Sequence, residues 1–192
     1  MIDLLKIFIK AVLVDNVVLI QYIALCPFMG MTNETDKATG MGVATSFVIV
    51  LACAVTYPLY YGIMVPLHIE FLQTLMFILV IAALVQLVEF YLKKSAPALY
   101  SAMGVYLALI TTNCAVLAST LNCISKNYNY IQSLVYGAGV AGGFMLALVI
   151  MSGVRERIKV APIPAFLKGK PILFIAAGLL SLSFLGFSGL IK

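Results

Sequence analysis

Long uncharged runs alternate with short charged segments along this chain of 192 residues. Six such runs, the first interrupted only by Asp15, lie at 11–31, 38–67, 71–88, 95–125, 127–154 and 171–191. An apolar helix needs about 20 residues to cross the hydrocarbon core of a bilayer. The pattern therefore predicts six transmembrane helices.

Composition strengthens this interpretation, because 64% of the residues are hydrophobic and only 10% are charged. An average soluble domain is roughly 45–50% apolar and roughly 25% charged. So few charges could not keep the apolar surface in water, which excludes a soluble enzyme, a disordered protein and a nucleic-acid binder. We expect an all-α, polytopic membrane protein whose residues 1–192 form a single membrane domain.

The net charge of +5 carries information about orientation. Cytoplasmic loops are enriched in Lys and Arg. One side of the predicted bundle holds eight basic residues, Lys37, Lys93, Lys94, Arg155, Arg157, Lys159, Lys168 and Lys170, and the other holds four, Lys6, Lys10, Lys126 and Lys192. Both termini are therefore predicted outside the cell membrane. We interpret Arg155-Glu156-Arg157 as part of this topology signal, with docking of a partner as the alternative.

The two halves of the chain share a sequence string. Residues 40–47 and 137–144 both read G-x-G-V-A-x-x-F, and a leucine follows four residues later in each copy. The copies are 97 residues apart, which predicts a first repeat of about 1–96 and a second of about 97–192. Three helices per half would make the second copy cross the membrane in the opposite direction, as an inverted repeat. The alternative is chance recurrence of small residues at helix contacts.

The first helix of each half, spans one and four, carries signs of a break. Pro27 and Gly30 interrupt the first run, and the polar residues 111–113 lie deep in the fourth. Inverted repeats commonly build a site near the membrane midplane from discontinuous helices. Each suspected break carries a cysteine, Cys26 or Cys114. We expect these two cysteines to be related by the repeat and to face each other near the middle of the membrane.

Two interpretations of these cysteines remain open at this point. Free cysteine often serves as a small buried apolar residue. Alternatively, Cys26 and Cys114 could act together at a metal site. Cys123 lies nine residues after Cys114, on the opposite face of an uninterrupted helix, and Cys53 lies in the second span. Because the chain contains no C-x-x-C string, any metal site needs ligands from distant residues or from another chain.

Asp15 is the second unusual residue, because a carboxylate within a transmembrane segment is costly and often functional. It could be a polar contact, paired with Asn16, Gln21 or Lys10 or with a neighbouring span. We favour this interpretation over the alternative, a cation site. The sequence leaves both open.

Four strings resemble one known family over nearly the whole chain. They are Leu25-Cys26-Pro27-Phe28-Met29-Gly30, Leu109-Ile110-Thr111-Thr112-Asn113-Cys114-Ala115-Val116-Leu117, Arg155-Glu156-Arg157 and Leu185-Gly186-Phe187-Ser188-Gly189-Leu190. They resemble the RnfA/NqrE family, which includes membrane subunits of the Rnf electron-transport complex and of the sodium-translocating NADH:quinone reductase.

This resemblance implies a membrane subunit of a redox-driven ion pump, a ferredoxin:NAD⁺ oxidoreductase, that is not catalytic alone. It implies one intramembrane [2Fe–2S] cluster shared with a homologous RnfE-type subunit in the opposite orientation. The cluster ligands carried over to this chain are Cys26 and Cys114. Asn113 is a candidate hydrogen-bond donor to the cluster sulfurs. Flavins and further iron–sulfur centres would reside on other Rnf subunits, of the B, C, D and G types.

Three alternatives to an Rnf relay remain. Inverted repeats and broken helices would also suit a secondary transporter or an ion channel. A quinone-reductase subunit of the NqrE type shares the same strings, which leaves the electron acceptor open. A purely structural membrane protein is the third.

Overall fold

The computed structural model describes residues 2–67, 70–95, 109–110, 112–162, 164 and 167–189. Every regular element within these ranges is helical. The prediction of an all-α protein is therefore confirmed. The first part of the fourth predicted span, 96–108, lies outside the described residues.

The first half of the chain begins with α1 (Ile2–Ile9), which continues as one π-helical turn over Lys10–Val14. The helices that follow are α2 (Leu25–Met31), α3 (Thr35–Leu59), α4 (Val65–Leu67) and α5 (Gln73–Ser95). A second π-helical turn, Tyr60–Met64, joins α3 to α4, and a 3-10 turn, Glu70–Leu72, precedes α5.

The second half contains α6 (Cys114–Ser125), α7 (Tyr130–Val160) and α8 (Lys170–Leu185). A 3-10 turn, Gly186–Gly189, ends the described part of the chain. Asn129 and Gln132 form a reciprocal capping box at the start of α7, which satisfies backbone donors that a helix N-terminus leaves unpaired.

Three helices among the described residues are long and apolar enough to cross a membrane: Thr35–Met64, Gln73–Phe90 and Tyr130–Val160. They coincide with the predicted spans 38–67, 71–88 and 127–154. The apolar helices α6 and α8 are shorter. On α5, large apolar side chains are exposed, among them Leu75, Leu79, Leu87 and Phe90. These features confirm a multi-pass membrane protein.

The centre of the fold is the contact between α3 and α7, which run antiparallel. Ser46 Oγ donates to the Ala141 carbonyl at 3.2 Å. A Cβ atom placed on Gly137 would lie 2.9 Å from Cys53 Sγ, further along α3 and earlier along α7. These two helices carry the two copies of the G-x-G-V-A string, and antiparallel packing is what oppositely directed copies require. The inverted repeat as a whole stays a prediction.

The first helix α1 and the π-helical turn that follows it pack against α7, and the contact positions on α7 are glycines. A Cβ on Gly139 would lie 2.7 Å from Ala11 Cβ and 3.1 Å from the Phe8 carbonyl oxygen. Real Cβ atoms do not approach so closely, so glycine is what allows the two backbones to meet. Small residues serve this purpose at many membrane helix contacts.

Candidate functional site

The first helix break is built around the buried side chain of Asn16. Its Oδ1 accepts hydrogen bonds from the backbone N–H groups of Val18 and Leu19, at 3.1 and 3.3 Å. Its Nδ2 donates to the carbonyls of Val12 and Gly143, at 3.1 and 3.0 Å. The side chain therefore satisfies backbone groups that are freed where the helix stops, which allows a non-helical segment inside an apolar environment.

This break lies earlier in the chain than the sequence predicted. No helix forms between Asp15 and Ala24, and Ala24 adopts a left-handed conformation with φ of 65°. Pro27 and Gly30, the predicted interruption, lie inside α2 instead. The prediction that the first span is broken is confirmed, but the predicted position of the break was wrong. Proline in the first turn of a helix occupies a position whose N–H has no helical partner, so Pro27 breaks no hydrogen bond.

The second break falls where the sequence placed it, although Thr111 lies outside the described residues. Ile110 is helical, Asn113 is extended with φ of −71° and ψ of 112°, and α6 begins at Cys114. Asn113 Oδ1 accepts from the backbone N–H of Ala115 at 3.1 Å. The side chain of Asn113 is buried, and its Nδ2 has no hydrogen-bond partner among the described residues.

The two predicted ligand cysteines lie at the starts of the helices that follow the breaks. Cys114 is the first residue of α6, and Cys26 is the second residue of α2. Both are exposed on this chain. Cys114 Sγ accepts a hydrogen bond from the backbone N–H of Ala24 at 3.0 Å. The second break is thus in direct contact with the residue that precedes α2.

The other two cysteines occupy a different environment. Cys53 and Cys123 are only 2% and 4% exposed. Cys53 Sγ lies 3.8 Å from Ser119 Oγ, and Cys123 Sγ lies 3.7 Å from the Ser133 carbonyl. As the spacing predicted, Cys114 and Cys123 lie on opposite faces of α6.

The relation of Cys26 to Cys114 by the repeat stays a prediction: each cysteine lies at the start of the helix that follows a break, but their spacing differs from the 97-residue offset of the G-x-G-V-A strings. At the 97-residue offset, Cys26 corresponds to Cys123 and Cys114 corresponds to Val17. The residues that do correspond are Asn16 and Asn113, one at each break. At this offset an asparagine is present at both breaks, whereas the exposed cysteines do not coincide.

No group of three His, Cys, Asp or Glu side chains is placed to hold a metal ion in the part of the chain that the structure describes. Cys26 and Cys114 could supply two soft thiolate ligands. A thiolate-ligated iron–sulfur cluster needs four, so a cluster here requires ligands from a second chain.

Asp15 forms an ion pair with Lys126, which is distant in sequence. Its Oδ2 lies 2.7 Å from Lys126 Nζ, in the turn between α6 and α7. Burial alone would lower the pKa of Lys126, but the hydrogen bond and charge of Asp15, together with the nearby Tyr136 and Tyr128, raise the pKa above its ordinary value. A carboxylate paired with a lysine is neutralised, which favours the polar-contact interpretation over a cation site.

Arg155 has a structural role that its sequence context does not indicate. Its Nη1 donates to the Met29 carbonyl at 2.9 Å and to Thr32 Oγ1 at 3.1 Å. These acceptors lie at the C-terminal end of α2, where helix carbonyls lack helical partners. The interpretation of Arg155 as a topology signal gave no indication of this contact, because nothing in the sequence places α2 beside the end of α7.

Comparison with known proteins adds to this geometry. The family model described as Rnf-Nqr subunit, membrane protein, matches residues 4–191. The chain is 50% identical over 189 residues to the A subunit of the ion-translocating oxidoreductase complex of Syntrophotalea carbinolica, covering 98% of each chain. It is 51% identical over 187 residues to the A subunit of the Na⁺-translocating ferredoxin:NAD⁺ oxidoreductase complex of Acetobacterium woodii, covering 97% of each.

A third relative, the A subunit of the ion-translocating oxidoreductase complex of Vibrio cholerae, is 49% identical over 192 residues and is matched along its whole length. All three similarities include both helix breaks and the ends of the long helices. The chain therefore belongs to the Rnf-Nqr family of membrane subunits.

Proposed function

We propose that this chain is a membrane subunit of an ion-translocating ferredoxin:NAD⁺ oxidoreductase of the Rnf type, through which electrons cross the bilayer. Similarity along the full length to the A subunits of complexes with such names supports this proposal. It would act in the cell membrane, with both termini outside, beside subunits of the B, C, D and G types that carry flavins and further iron–sulfur centres.

Within that complex, Cys26 and Cys114 are two of the four ligands of a [2Fe–2S] cluster. The observation that carries this assignment is the contrast among the four cysteines: Cys26 and Cys114 are exposed at neighbouring helix starts, while Cys53 and Cys123 are buried. The remaining ligands come from a homologous RnfE-type subunit of opposite orientation.

The residues around the exposed thiols fit such a group. Asn113 immediately precedes Cys114, and its buried Nδ2 lacks an acceptor among the described residues. An N–H aimed at a cluster sulfur would satisfy that donor, and hydrogen bonds to the sulfurs influence the reduction potential. Phe28 and Val116, each two residues after one of the exposed cysteines, are buried and apolar, so this chain contributes apolar surroundings to the site.

The depth of the breaks suits a role in crossing the membrane. Asn16, in the first break, bonds to Gly143, which lies near the middle of the 31-residue helix α7. When bound near this depth, the cluster would accept and release one electron, so that a crossing of about 30 Å of hydrocarbon becomes two shorter steps. This chain contributes the position of the two thiols and the apolar surroundings.

A secondary transporter or channel is less well supported. Asp15, its only charged candidate within the first predicted span, is neutralised by Lys126. The name of the Acetobacterium woodii relative also favours the ferredoxin:NAD⁺ reaction over the quinone reductase that the NqrE-type alternative would serve.

The test is iron and acid-labile sulfide analysis of the purified complex, with EPR and visible spectra of four variants. Cys26→Ser and Cys114→Ser should lose the cluster signal and block electron transfer. Cys53→Ser and Cys123→Ser, at the buried thiols, should keep both. An intact cluster in Cys26→Ser and Cys114→Ser would refute the ligand assignment.

A further inference from the structure

A basic cavity lies where the end of α7 meets the start of α8. It has a volume of about 260 Å³, and three of its lining residues are the cationic side chains Arg155, Lys159 and Lys168. The acidic residues Glu34, Asp36 and Glu156 line a separate cavity instead, which shares only Asn33 and Lys159 with this one. The basic cavity is therefore suited to an anion.

The three cationic side chains differ in whether they already form hydrogen bonds within the protein. Arg155 and Lys159 donate to backbone carbonyls at Met29 and Asn33. Lys168 has no hydrogen bond or ion pair with any residue that the structure describes, and its side chain is exposed. Lys168 is thus the cation available to bind an external ligand.

An apolar groove continues from this cavity along the outer surface of α7 and α8. It has a volume of about 410 Å³ and is lined mainly by aliphatic side chains, including Val154, Ile175, Leu179 and Leu180. Ile158 and Ile172 line both the groove and the basic cavity. A single ligand could therefore occupy the two spaces together.

The length of the groove identifies the kind of ligand. From Ile172 to Ser183 along α8, a rise of about 1.5 Å per residue gives about 17 Å. This is close to half of the hydrocarbon thickness of about 30 Å, the depth of one leaflet. A partner's transmembrane helix would need an apolar strip across both leaflets. An acyl chain attached to an anionic headgroup needs only this length.

We propose that the basic cavity and the groove together bind one anionic phospholipid, with its phosphate at Lys168 and an acyl chain between α7 and α8. Basic pockets between transmembrane helices commonly bind anionic headgroups. The site lies at the end of α7 opposite its capped start, and neither of the two exposed thiols lines it.

The first test is native mass spectrometry of the full-length chain after incubation with equimolar phosphatidylglycerol and phosphatidylcholine. The wild type should retain phosphatidylglycerol preferentially, and Lys168→Gln should reduce the retained amount about fivefold. Lys170→Gln is the matched control, because Lys170 is also exposed but does not line the cavity. Equal losses in both variants, or no preference between the lipids, would overturn the proposal.

A second pair of variants tests the groove. Leu179→Trp fills it, whereas Leu182→Trp adds the same side chain at a similarly exposed position outside it, since the two leucines are 61% and 68% exposed. Only Leu179→Trp should reduce retention. Displacement of the lipid by excess inorganic phosphate would assign the cavity to a free anion instead. Loss of another protein from the purified complex by Leu179→Trp, with unchanged lipid retention, would assign the groove to a protein partner. Either result contradicts the proposal.

Discussion

Asn16 and Asn113, 97 residues apart, perform the same task at the two helix breaks. Each side-chain Oδ1 accepts a hydrogen bond from the backbone N–H two residues later, at 3.1 Å in both cases. The amide nitrogens differ, because Asn16 Nδ2 bonds to two carbonyls while Asn113 Nδ2 has no partner among the described residues. Both polar atoms of the Asn16 side chain are therefore hydrogen-bonded, whereas Asn113 retains an unpaired Nδ2 donor among the described residues.

This difference predicts unequal effects on stability. Asn16→Ala should lower the free energy of unfolding by about 2–3 kcal/mol, because it leaves buried backbone donors without acceptors. Asn113→Ala removes one capping bond, at a cost of about 1 kcal/mol. Unfolding of the full-length chain in detergent measures both. Asn33→Ala, at an exposed side chain, serves as the control, and equal losses for Asn16→Ala and Asn113→Ala would contradict the assignment.

The contact between α1 and α7 predicts a position-specific effect of adding a methyl group. Gly139→Ala should destabilise the protein by about 1–3 kcal/mol through overpacking, because the new Cβ would meet Ala11 and the Phe8 carbonyl. Gly153→Ala, on the same helix with nothing within 4 Å of the new atom, should be neutral or stabilising by up to about 1 kcal/mol.

A double variant sharpens this prediction. Ala11→Gly removes the nearest obstacle and should restore part of the stability lost in Gly139→Ala. No recovery, together with equal effects of Gly139→Ala and Gly153→Ala, would mean that close backbone approach is not the reason for glycine at this position.

The hydrogen bonds from Arg155 on α7 should stabilise the C-terminal end of α2. Arg155→Gln should lower the free energy of unfolding by about 1–3 kcal/mol, since it weakens two hydrogen bonds to partly buried acceptors. It should also speed amide hydrogen exchange in Leu25–Met31. Arg157→Gln, two residues away and exposed, should change stability by less than about 0.5 kcal/mol. Faster exchange in α2 for both variants would indicate a general charge effect.

The ion pair between Asp15 and Lys126 predicts a pH dependence in the alkaline range. The pKa of Lys126 is raised in the folded chain. The stabilisation is therefore complete below the ordinary lysine value of 10.5 and is lost as the pH rises through the higher folded value. Asp15→Asn should be less stable than the wild type by up to about 1 kcal/mol near neutral pH, and the difference should shrink above that value.

Thermal unfolding of both proteins between neutral and strongly alkaline pH measures this difference. Glu34→Gln removes a more exposed ion pair with Lys37 and should show a smaller change. A stability difference between wild type and Asp15→Asn that stays constant across the whole pH range would contradict the role of the Lys126 charge.

The sequence was sufficient for features that depend on local composition. The uninterrupted apolar runs located α3, α5 and α7, because hydrocarbon imposes a minimum length on any helix that crosses it. The second break was also predictable, since Asn113 places a capping side chain inside an apolar run. The family followed from short strings that contain both exposed cysteines.

Features that depend on distant contacts were not predictable. The first break was misplaced because Pro27 is a conspicuous helix breaker, whereas Asn16 acts through Gly143, 127 residues away in sequence. The support of α2 by Arg155 bridges a similar separation of 126 residues. Hydropathy alone could not distinguish the exposed thiol of Cys114 from the buried thiol of Cys123, nine residues later.

The contact of α1 with α7 also limits the order in which segments of the chain can pack together during synthesis. The ribosome releases the N-terminal segment first, but its binding surface at Gly139 and Gly143 is synthesised more than a hundred residues later. Until Gly143 has been made, Asn16 Nδ2 lacks this carbonyl acceptor. The segment that contains Asn16 cannot pack against α7 before that point. The segment that contacts Gly139 and Gly143 can therefore reach its final place only after α7 has been made.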